Sequence, residues 1–382
     1  MDYSVRNLNK KGEELCGDKV EFYRDHHSTI AVLSDGLGSG VKANILATLT
    51  SKIAITMLKE GLPIEEVVDT IINTLPVCHV RKLAYSTFTI VKIDDLGQAY
   101  IVEFDNPSLF YYHNNRINQL NKTVKFINNR KIYEAKFQIT EGDTLVLVSD
   151  GVIHAGVGVR LNLGWGWNDV ANYLEHLIDE SSSALSITNL LIREVKNLYD
   201  GLPGDDVTVL TLKATPQKEA IIFSGPPIDK DNDSLIVETL MKHQGIKIVC
   251  GGTAANIVSK QIKKPLQTSF NISDPKIPPI AHIEGINLVT EGVLTLKGAV
   301  ERLKKVQEQQ EIKFLHLEDG ASLLAKLLLK QTTHIKLLIG KAINPAHQNP
   351  DFPQELSIKL NVLEDLIEVL QSLGKIVEVQ YY

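Results

Sequence analysis

The stretch Thr29-Ile30-Ala31-Val32-Leu33-Ser34-Asp35-Gly36-Leu37-Gly38-Ser39-Gly40 sets the pattern for the first half of the chain. Its apolar part, from Thr29 to Leu33, is long enough for a buried strand. A glycine-spaced loop follows, and from Val41 apolar residues recur at steps of three and four, which predicts a helix. We therefore expect Asp35 at the carboxyl end of a strand, either as a turn-former or as an oxygen ligand.

The same pattern occurs elsewhere in the chain. The apolar run 144–148 leads into Ser149-Asp150-Gly151, Gly204-Asp205-Asp206 stands before the apolar run 207–212, and Gly17-Asp18 stands before a predicted strand. Carboxylates at several strand ends predict a shared oxygen-rich site, which hard divalent cations such as magnesium and manganese prefer. Two such ions bridged by one carboxylate can activate a water for attack on a phosphate ester.

The composition is that of an ordinary globular protein. The chain has 382 residues, of which 43% are hydrophobic and 23% charged, and this length suggests two or three domains. The net charge of −6 argues against non-specific nucleic-acid binding. We find neither a signal-peptide pattern nor an apolar run long enough to span a bilayer, so we expect no membrane contact.

The cysteines bear on the compartment of the protein. There are three of them, Cys16, Cys78 and Cys250, and they show no paired spacing. A sparse, odd count fits a reducing cytosol without a disulfide framework. The sequence therefore predicts a cytoplasmic protein.

The chain changes character at the linker-like segment Thr215-Pro216-Gln217-Lys218. In residues 1–214, two predicted helices at 42–59 and 64–75 are followed by a series of strands, two further helices and the closing strand 207–213. In residues 219–382, strands alternate with helices, which is typical of an α/β layered domain.

The second half contains one local feature of interest, Cys250-Gly251-Gly252-Thr253. A predicted strand leads into it and a helix follows, so Gly251, Gly252 and Thr253 are candidate anion-binding residues at a helix N-terminus. The alternative is a glycine-built turn without a ligand, because the pattern is neither Gly-x-Gly-x-x-Gly nor a Walker loop. We expect a regulatory or partner-docking role for this half.

In their order along the chain, Gly17-Asp18, Ser34-Asp35-Gly36, Ser149-Asp150-Gly151 and Gly204-Asp205-Asp206 resemble the motifs of a known family. The resemblance is to the metal-dependent protein serine/threonine phosphatases (the PPM, or type 2C, superfamily), and within it to the branch of the sporulation stage II protein E phosphatase. It covers about residues 5–213. It implies an α/β fold, a PPM-type α-β-β-α sandwich with two central antiparallel sheets, followed here by the second α/β layered domain.

The resemblance also implies residue roles. Asp35 and Asp150 would be catalytic ligands, with Asp35 bridging two manganese or magnesium ions. The other groups carried over are Asp18 and the carbonyl of Gly36 at one ion, Asp150 and Asp205 at the other, Asp206 as an extra ligand or a partner of the ligands, and Arg6, Lys10 or Lys11 at the phosphate.

The activity that follows is hydrolysis of phosphoserine or phosphothreonine by a metal-activated water, without a phosphoenzyme. The expected substrate is a phosphorylated bacterial regulatory protein, and a homodimer is allowed. The alternative is a non-catalytic sensor or binding protein that retains the phosphatase fold. The presence of all the main carboxylates in the sequence speaks against this alternative.

Overall fold

The computed structural model describes residues 1–25, 27–74, 86–268, 277–308, 313–342 and 354–382, with the side chains of 313, 315 and 354–357 left out. Cys78 and Leu75, the last residue of the predicted second helix, lie outside these ranges. The chain forms two compact units, Met1–Thr215 and Pro216–Tyr382.

The first unit contains two antiparallel sheets. The five-stranded sheet has the order β1-β11-β10-β6-β7, and the six-stranded sheet has the order β2-β3-β4-β5-β9-β8. The strands are β1 (Asp2–Leu8), β2 (Asp18–Arg24), β3 (Ser28–Gly36), β4 (Ser86–Asp94), β5 (Gln98–Phe104), β6 (Phe110–His113), β7 (Arg116–Asn118), β8 (Thr123–Ile127), β9 (Arg130–Gln138), β10 (Thr144–Val148) and β11 (Val207–Lys213).

Helices cover both outer faces of this pair of sheets. Alternation along β3 explains the layering, because Ala31 and Leu33 point to the core between the sheets while Ile30 and Val32 point to the helices. The predicted four-layer sandwich is therefore confirmed. The helices are α1 (Gly40–Lys59) and α2 (Ile64–Thr74) on the six-stranded sheet, α4 (Trp167–Leu177) and α5 (Ala184–Leu198) on the five-stranded sheet, and the short α3 (Asp150–Ile153).

Among the described residues, α1 is long and apolar enough to cross a membrane by length and composition alone. From the sequence we expected no apolar run long enough to span a bilayer. The structure accounts for its apolar side, because Leu46, Ala54 and Leu58 are buried in the core on the outer face of the six-stranded sheet.

The second unit is built on a seven-stranded sheet with the order β14-β15-β16-β13-β12-β17-β18. The five strands from β16 to β18 in that order are parallel, and the two at the other edge are antiparallel. The strands are β12 (Glu219–Ser224), β13 (Ile246–Cys250), β14 (Gln267–Thr268), β15 (Ala281–His282), β16 (Leu288–Thr290), β17 (His334–Ile339) and β18 (Ile376–Tyr381).

Helices connect the parallel strands of the second unit. Two of them pack with Phe223 and Val249 on one face of the sheet, and the others pack against one another. This confirms the α/β layered architecture predicted for this half. The helices are α6 (Asn232–Lys242) and α7 (Gly252–Ile262) in the first group, and α8 (Val293–Gln307), α9 (Gly320–Lys330) and α10 (Gln354–Ser372) in the second.

Candidate metal centre

The pairing of β2 with β3 brings two predicted ligands side by side. In this antiparallel pair Asp18 lies directly opposite Asp35, and the Gly36 amide donates to the Gly17 carbonyl at 3.2 Å. Asp35 is also opposite Thr87 on β4. Residues separated by more than a dozen positions in the sequence therefore meet at one end of the six-stranded sheet.

A similar meeting occurs at the end of the five-stranded sheet. Asp150 begins α3 directly after β10, and Asp205 and Asp206 stand directly before β11, which pairs with β10. The contact between the two segments is close, because a Cβ on Gly151 would lie only 2.0 Å from the Asp206 carbonyl oxygen. Glycine is needed here for steric reasons.

The two sheet ends face one cleft of about 630 Å³. It contains six aspartates, five of which the sequence analysis selected, together with the Gly36 segment. The residues lining it are Lys10, Asp18, Asp35, Gly36, Leu37, Gly38, Ser39, Ser86, Thr87, Asp105, Asp150, Asp205 and Asp206.

Asp18 is buried without good partners for its charge. Neither of its carboxylate oxygens accepts a well-formed hydrogen bond, although the hydroxyls of Ser149 and Thr208 are close enough to moderate the charge. The pKa of Asp18 is raised to about 7, chiefly by burial and also by the nearby carboxylates of Asp206 and Asp150. An unpartnered buried carboxylate needs a cation or a proton.

Asp35 shows the same effect more strongly. Burial raises its pKa to about 9, and repulsion from Asp18, Asp150 and the two aspartates before β11 adds to the rise. Burial and the charge of Asp205 also raise the pKa of Asp150. The cleft therefore concentrates negative charge that nothing among the described side chains fully compensates.

Lys10 is the cation that lines the cleft, and it pairs with one of the predicted ligands. Its Nζ lies 3.3 Å from Asp205 Oδ1, and its backbone N–H donates to Asp206 Oδ1 at 3.0 Å. Asp206 Oδ2 is buried and has no hydrogen-bond partner. The Lys10 ammonium therefore neutralises only the Asp205 carboxylate of the acidic cluster.

The carboxylates line one cleft, but their oxygens do not converge on a common point. Within the described part of the chain, no three Asp, Glu, His or Cys side chains already converge at metal-ligand distances. The donor set still fits manganese or magnesium, because it is all oxygen and includes the orphaned oxygens of Asp18 and Asp206.

Two predicted phosphate-binding residues do not reach the cleft. Arg6 is buried in β1, where its Nε donates to Asn189 Oδ1 at 3.1 Å and one guanidinium nitrogen donates to the Val5 carbonyl at 3.0 Å. Its side chain therefore points to the helical layer. Lys11 is exposed, and its amide donates to the Pro203 carbonyl at 2.8 Å. Of the three basic residues named from the sequence, the structure brings only Lys10 to the site.

Two acidic residues near the cleft were given no role from the sequence, although Glu13 stands just before the Asp18 motif. Asp105 lines it from the turn after β5, with a left-handed backbone at φ 48°. Glu13 lies beside it and accepts a hydrogen bond from the Ser39 hydroxyl at 2.8 Å. A Cβ on Gly40 would lie 2.2 Å from the second Glu13 oxygen, so this carboxylate covers the first turn of α1.

We expect Glu13 to hold the two ligand-bearing segments together. Glu13 belongs to the segment before Asp18, and Ser39 to the loop after Asp35. Glu13→Ala should lower manganese-dependent turnover by about 10- to 100-fold, as is typical when a partner that orients metal ligands is lost. The measurement is initial rate against manganese concentration.

The matched control for this prediction is Glu14→Ala. Glu14 is exposed, and its backbone carbonyl, which the substitution keeps, accepts from Asn9. Equal activity of the Glu13 and Glu14 variants at every manganese concentration would show that Glu13 does not hold the two ligand-bearing segments together.

The candidate anion-binding residues of the second unit lie at the end of β13. Gly251 has φ +119° and directly precedes α7, which begins at Gly252 and continues through Thr253. Among the residues that the structure describes, no atom beyond the helix itself and the chain neighbours lies within 4 Å of a Cβ placed on Gly252.

A comparison with known proteins finds a family match for the first unit. Residues 25–215, half of the chain, match the family model described as Stage II sporulation protein E (SpoIIE). The protein of that name from Bacillus subtilis (strain 168) is 24% identical over 187 residues, which are 48% of this chain and 22% of that protein. The chain thus matches less than a quarter of the length of this curated relative.

Solved structures of similar fold include phosphatase domains. The phosphatase domain and regulatory-domain fragment of SpoIIE from Bacillus subtilis has a TM-score of 0.47 and 22% identity over 56% of this chain and 63% of that chain. The SiaA-PP2C domain of Pseudomonas aeruginosa has a TM-score of 0.45 and 16% identity over 55% of this chain and 85% of that chain. RsbX in complex with magnesium has a TM-score of 0.41 and 19% identity over 55% and 92%.

The family match, the order of the acidic motifs and the four-layer sandwich agree with one another. The chain belongs to the stage II sporulation protein E family, by a match that lies in its first unit.

Proposed function

We propose that the chain is a manganese- or magnesium-dependent protein phosphatase that hydrolyses phosphoserine and phosphothreonine. The observation that carries the proposal is the meeting of six aspartates from distant segments in one cleft, two of them with buried carboxylate oxygens that lack partners. Without cations, such a cleft repels a phosphate dianion.

The proposed ligands follow from their positions. Asp35 is opposite Asp18, and the charges of Asp150 and Asp205 also act on it, so Asp35 would hold both ions. Asp18 and the Gly36 carbonyl would complete one site, and Asp150 and Asp205 the other. When bound, the two ions supply a water of lowered pKa that attacks the phosphorus directly.

The chain's own residues position the ligands and the substrate. The Ser86 hydroxyl donates to the Asp35 carbonyl at 2.9 Å and lies 2.6 Å from the Ser34 hydroxyl, so the backbone that presents Asp35 is fixed from β4. Lys10 lines the cleft, and with Asp205 serving as a metal ligand its ammonium would be available to pair with the substrate phosphate.

We expect Lys10→Met to raise the KM for a phosphoserine peptide by about tenfold, since a hydrogen bond between charged groups contributes about 1.5–3 kcal/mol. The kcat should change much less, because Lys10 binds the phosphate group before and during the reaction. Lys11→Met is the control, because Lys11 is the adjacent lysine and does not line the cleft. A fall in kcat at unchanged KM would contradict this assignment of Lys10.

The test of the activity is hydrolysis of p-nitrophenyl phosphate with manganese and with chelator, for the native chain and for Asp150→Asn. The proposal requires turnover that needs manganese and is abolished by the substitution. Metal binding without turnover by the native chain would instead support the alternative, a binding protein that retains the phosphatase fold.

The proposed substrate is a phosphorylated regulatory protein in bacterial signalling, and the proposed location is the cytoplasm. The curated relative named above supports this substrate class only by family membership. A phosphoprotein is also the class of substrate that an open, polar cleft can admit, because its phosphorylated side chain must enter while the rest of the protein stays outside.

A further inference from the structure

The segment that follows Asp150 forms a loop, residues 155–166, at the rim of the aspartate cleft. Asp150 lines the cleft and begins α3, and the amide of His154, directly after this helix, donates to the Asp150 carbonyl at 2.9 Å. The loop returns to the same place, because the Gly166 amide donates to the carbonyl of the last residue of α3 at 2.9 Å. Both ends of the 155–166 loop are therefore fixed about one helical turn from a proposed metal ligand.

Internal hydrogen bonds give the 155–166 loop a defined shape. The Gly156 carbonyl accepts from the amides of Val159, Arg160 and Leu161 at 3.1, 3.0 and 2.9 Å. Arg160 Nε also donates to Asp200 Oδ1 at 2.8 Å, which ties the loop to the segment after α5. The loop can therefore hold its outward side chains in fixed positions.

Those outward side chains are aliphatic. Val157 is 45% exposed, Val159 is 51% exposed and Leu163 is 90% exposed. Leu202, which follows Asp200 by two residues, is 55% exposed. Single aliphatic residues are ordinary on a surface, but these four lie on two segments that an ion pair joins. We call these four residues the apolar rim patch.

The apolar rim patch adjoins the cleft. Leu202 precedes Asp205 by three residues, so their Cα atoms are at most about 11 Å apart. Leu163 precedes Gly164, where a Cβ would lie 2.8 Å from the Cα of the residue after α3. The Leu163 Cα is therefore within about 15 Å of the Asp150 Cα. An extended peptide advances about 3.3 Å per residue, so the patch is three to five residues away from a phosphoserine in the cleft.

The charges on this side of the rim favour an anionic substrate with apolar neighbours. Residues 151–168 contain no Asp or Glu, although the whole chain has a net charge of −6. The same residues include His154 and Arg160, and Lys10 lines the adjoining cleft. A protein surface that presents a phosphate next to aliphatic side chains therefore meets no nearby carboxylate from this segment.

We propose that the apolar rim patch docks the phosphoprotein substrate, through aliphatic side chains three to five residues from the phosphoserine. Docking here rests on the proposed phosphatase function, and it names the surface that selects the substrate. A phosphorylated side chain in the cleft places its neighbours on the rim, where the patch adjoins Asp150 and Asp205. The patch thus distinguishes phosphoproteins by residues that the cleft itself does not contact.

The experiment is steady-state hydrolysis, in manganese, of three phosphoserine peptides of equal length. They differ only at the third, fourth and fifth residues from the phosphoserine, which are leucines on the N-terminal side, leucines on the C-terminal side, or serines throughout. For the native chain, we expect at least one leucine peptide to have a KM about tenfold below that of the serine peptide, because leucine side chains leave water on docking. p-Nitrophenyl phosphate serves as a fourth substrate, too small to reach the patch.

The test variant carries Val159→Ser and Leu163→Ser together. It should bring the KM values of the peptides to within about twofold of one another and leave kcat/KM for p-nitrophenyl phosphate unchanged. Leu96→Ser is the matched control, because Leu96 is 77% exposed in the turn between β4 and β5, at the far end of the sheet from the cleft. It should keep the preference for leucine. Leu202→Ser is a second test variant, on the other segment of the patch, and should weaken the preference.

The proposal is overturned when the native chain does not distinguish the peptides, or when the double variant keeps the full preference. A native dimer that the double variant converts to a monomer, without any peptide preference, would assign the patch to a contact between two copies and likewise overturn docking. Absence of p-nitrophenyl phosphate turnover by the native chain is a different result. It would contradict the proposed function itself, and docking with it.

Discussion

Replacing Asp35 with asparagine should lower manganese-dependent hydrolysis of a phosphoserine peptide by about 10³-fold or more, because several kcal/mol of charge stabilisation depend on the metal ions. Asp35 is opposite Asp18 in the sheet, and the charges of Asp150 and Asp205 also act on it. Loss of Asp35 should therefore be the most damaging single substitution.

The same substitution should stabilise the metal-free domain. Burial and neighbouring carboxylates raise the pKa of Asp35 to about 9, so at neutral pH this carboxyl must take up a proton when the metal-free chain folds, which opposes folding. Asparagine has nearly the same shape and no charge, and we expect a gain of about 0.5–2 kcal/mol in the free energy of unfolding in chelator. Loss of activity together with loss of stability would indicate misfolding instead.

Asp95→Asn is the control for both readouts. Asp95 is exposed in the turn between β4 and β5, at the far end of the same sheet from the cleft. It should leave turnover unchanged and the stability within about 0.5 kcal/mol of the native value.

The second large effect is the dependence of the first unit's stability on pH and on bound manganese. Asp18 and Asp35 have an ordinary pKa of 3.8, but in the folded protein their pKa values are about 7 and about 9. The folded state therefore binds more protons than the unfolded state between about pH 4 and pH 9. In chelator, the stability of the first unit should fall as the pH rises through this range, by up to about 1.4 kcal/mol per pH unit for each group that is protonated only in the folded state.

Manganese should reverse this dependence, since it binds the ionised carboxylates and competes with protons for them. The stabilisation by manganese should thus grow from pH 5 to pH 8. Thermal unfolding followed by tryptophan fluorescence measures this in the full chain, because both tryptophans, Trp165 and Trp167, belong to the first unit.

The Asp18→Asn variant tests which carboxyl groups cause the pH dependence of stability. It removes one of the two titrating carboxylates and should flatten the pH dependence in chelator while weakening the manganese effect. An unchanged slope in this variant would show that other groups dominate the titration.

The sequence was informative where chemistry and local pattern coincide. Asp35 and Asp150 were identifiable because each follows an apolar run and precedes glycine, so the strand end and the turn were both visible. The structure places them in one cleft because the antiparallel register of the two sheets aligns their ends. The roles as metal ligands remain predictions.

Features that depend on distant pairing were not visible in the same way. The segment Asp2–Leu8 was not predicted as a strand, because its partner is the distant β11 and its own apolar pattern is weak. The side-chain direction of Arg6 depends on that strand, so its turn toward Asn189 could not be foreseen. Glu13 and Asp105 likewise have no local signal, and only the folded loops bring them to the cleft.

The measurement that tests the central claim most directly is phosphate release from a phosphoserine peptide by the native chain of 382 residues, in manganese and in chelator. The account predicts turnover in manganese and none in chelator, with manganese binding detectable by calorimetry. Absence of turnover in manganese, with no manganese bound, would contradict the assignment of the aspartate cleft as a metal-dependent phosphatase site.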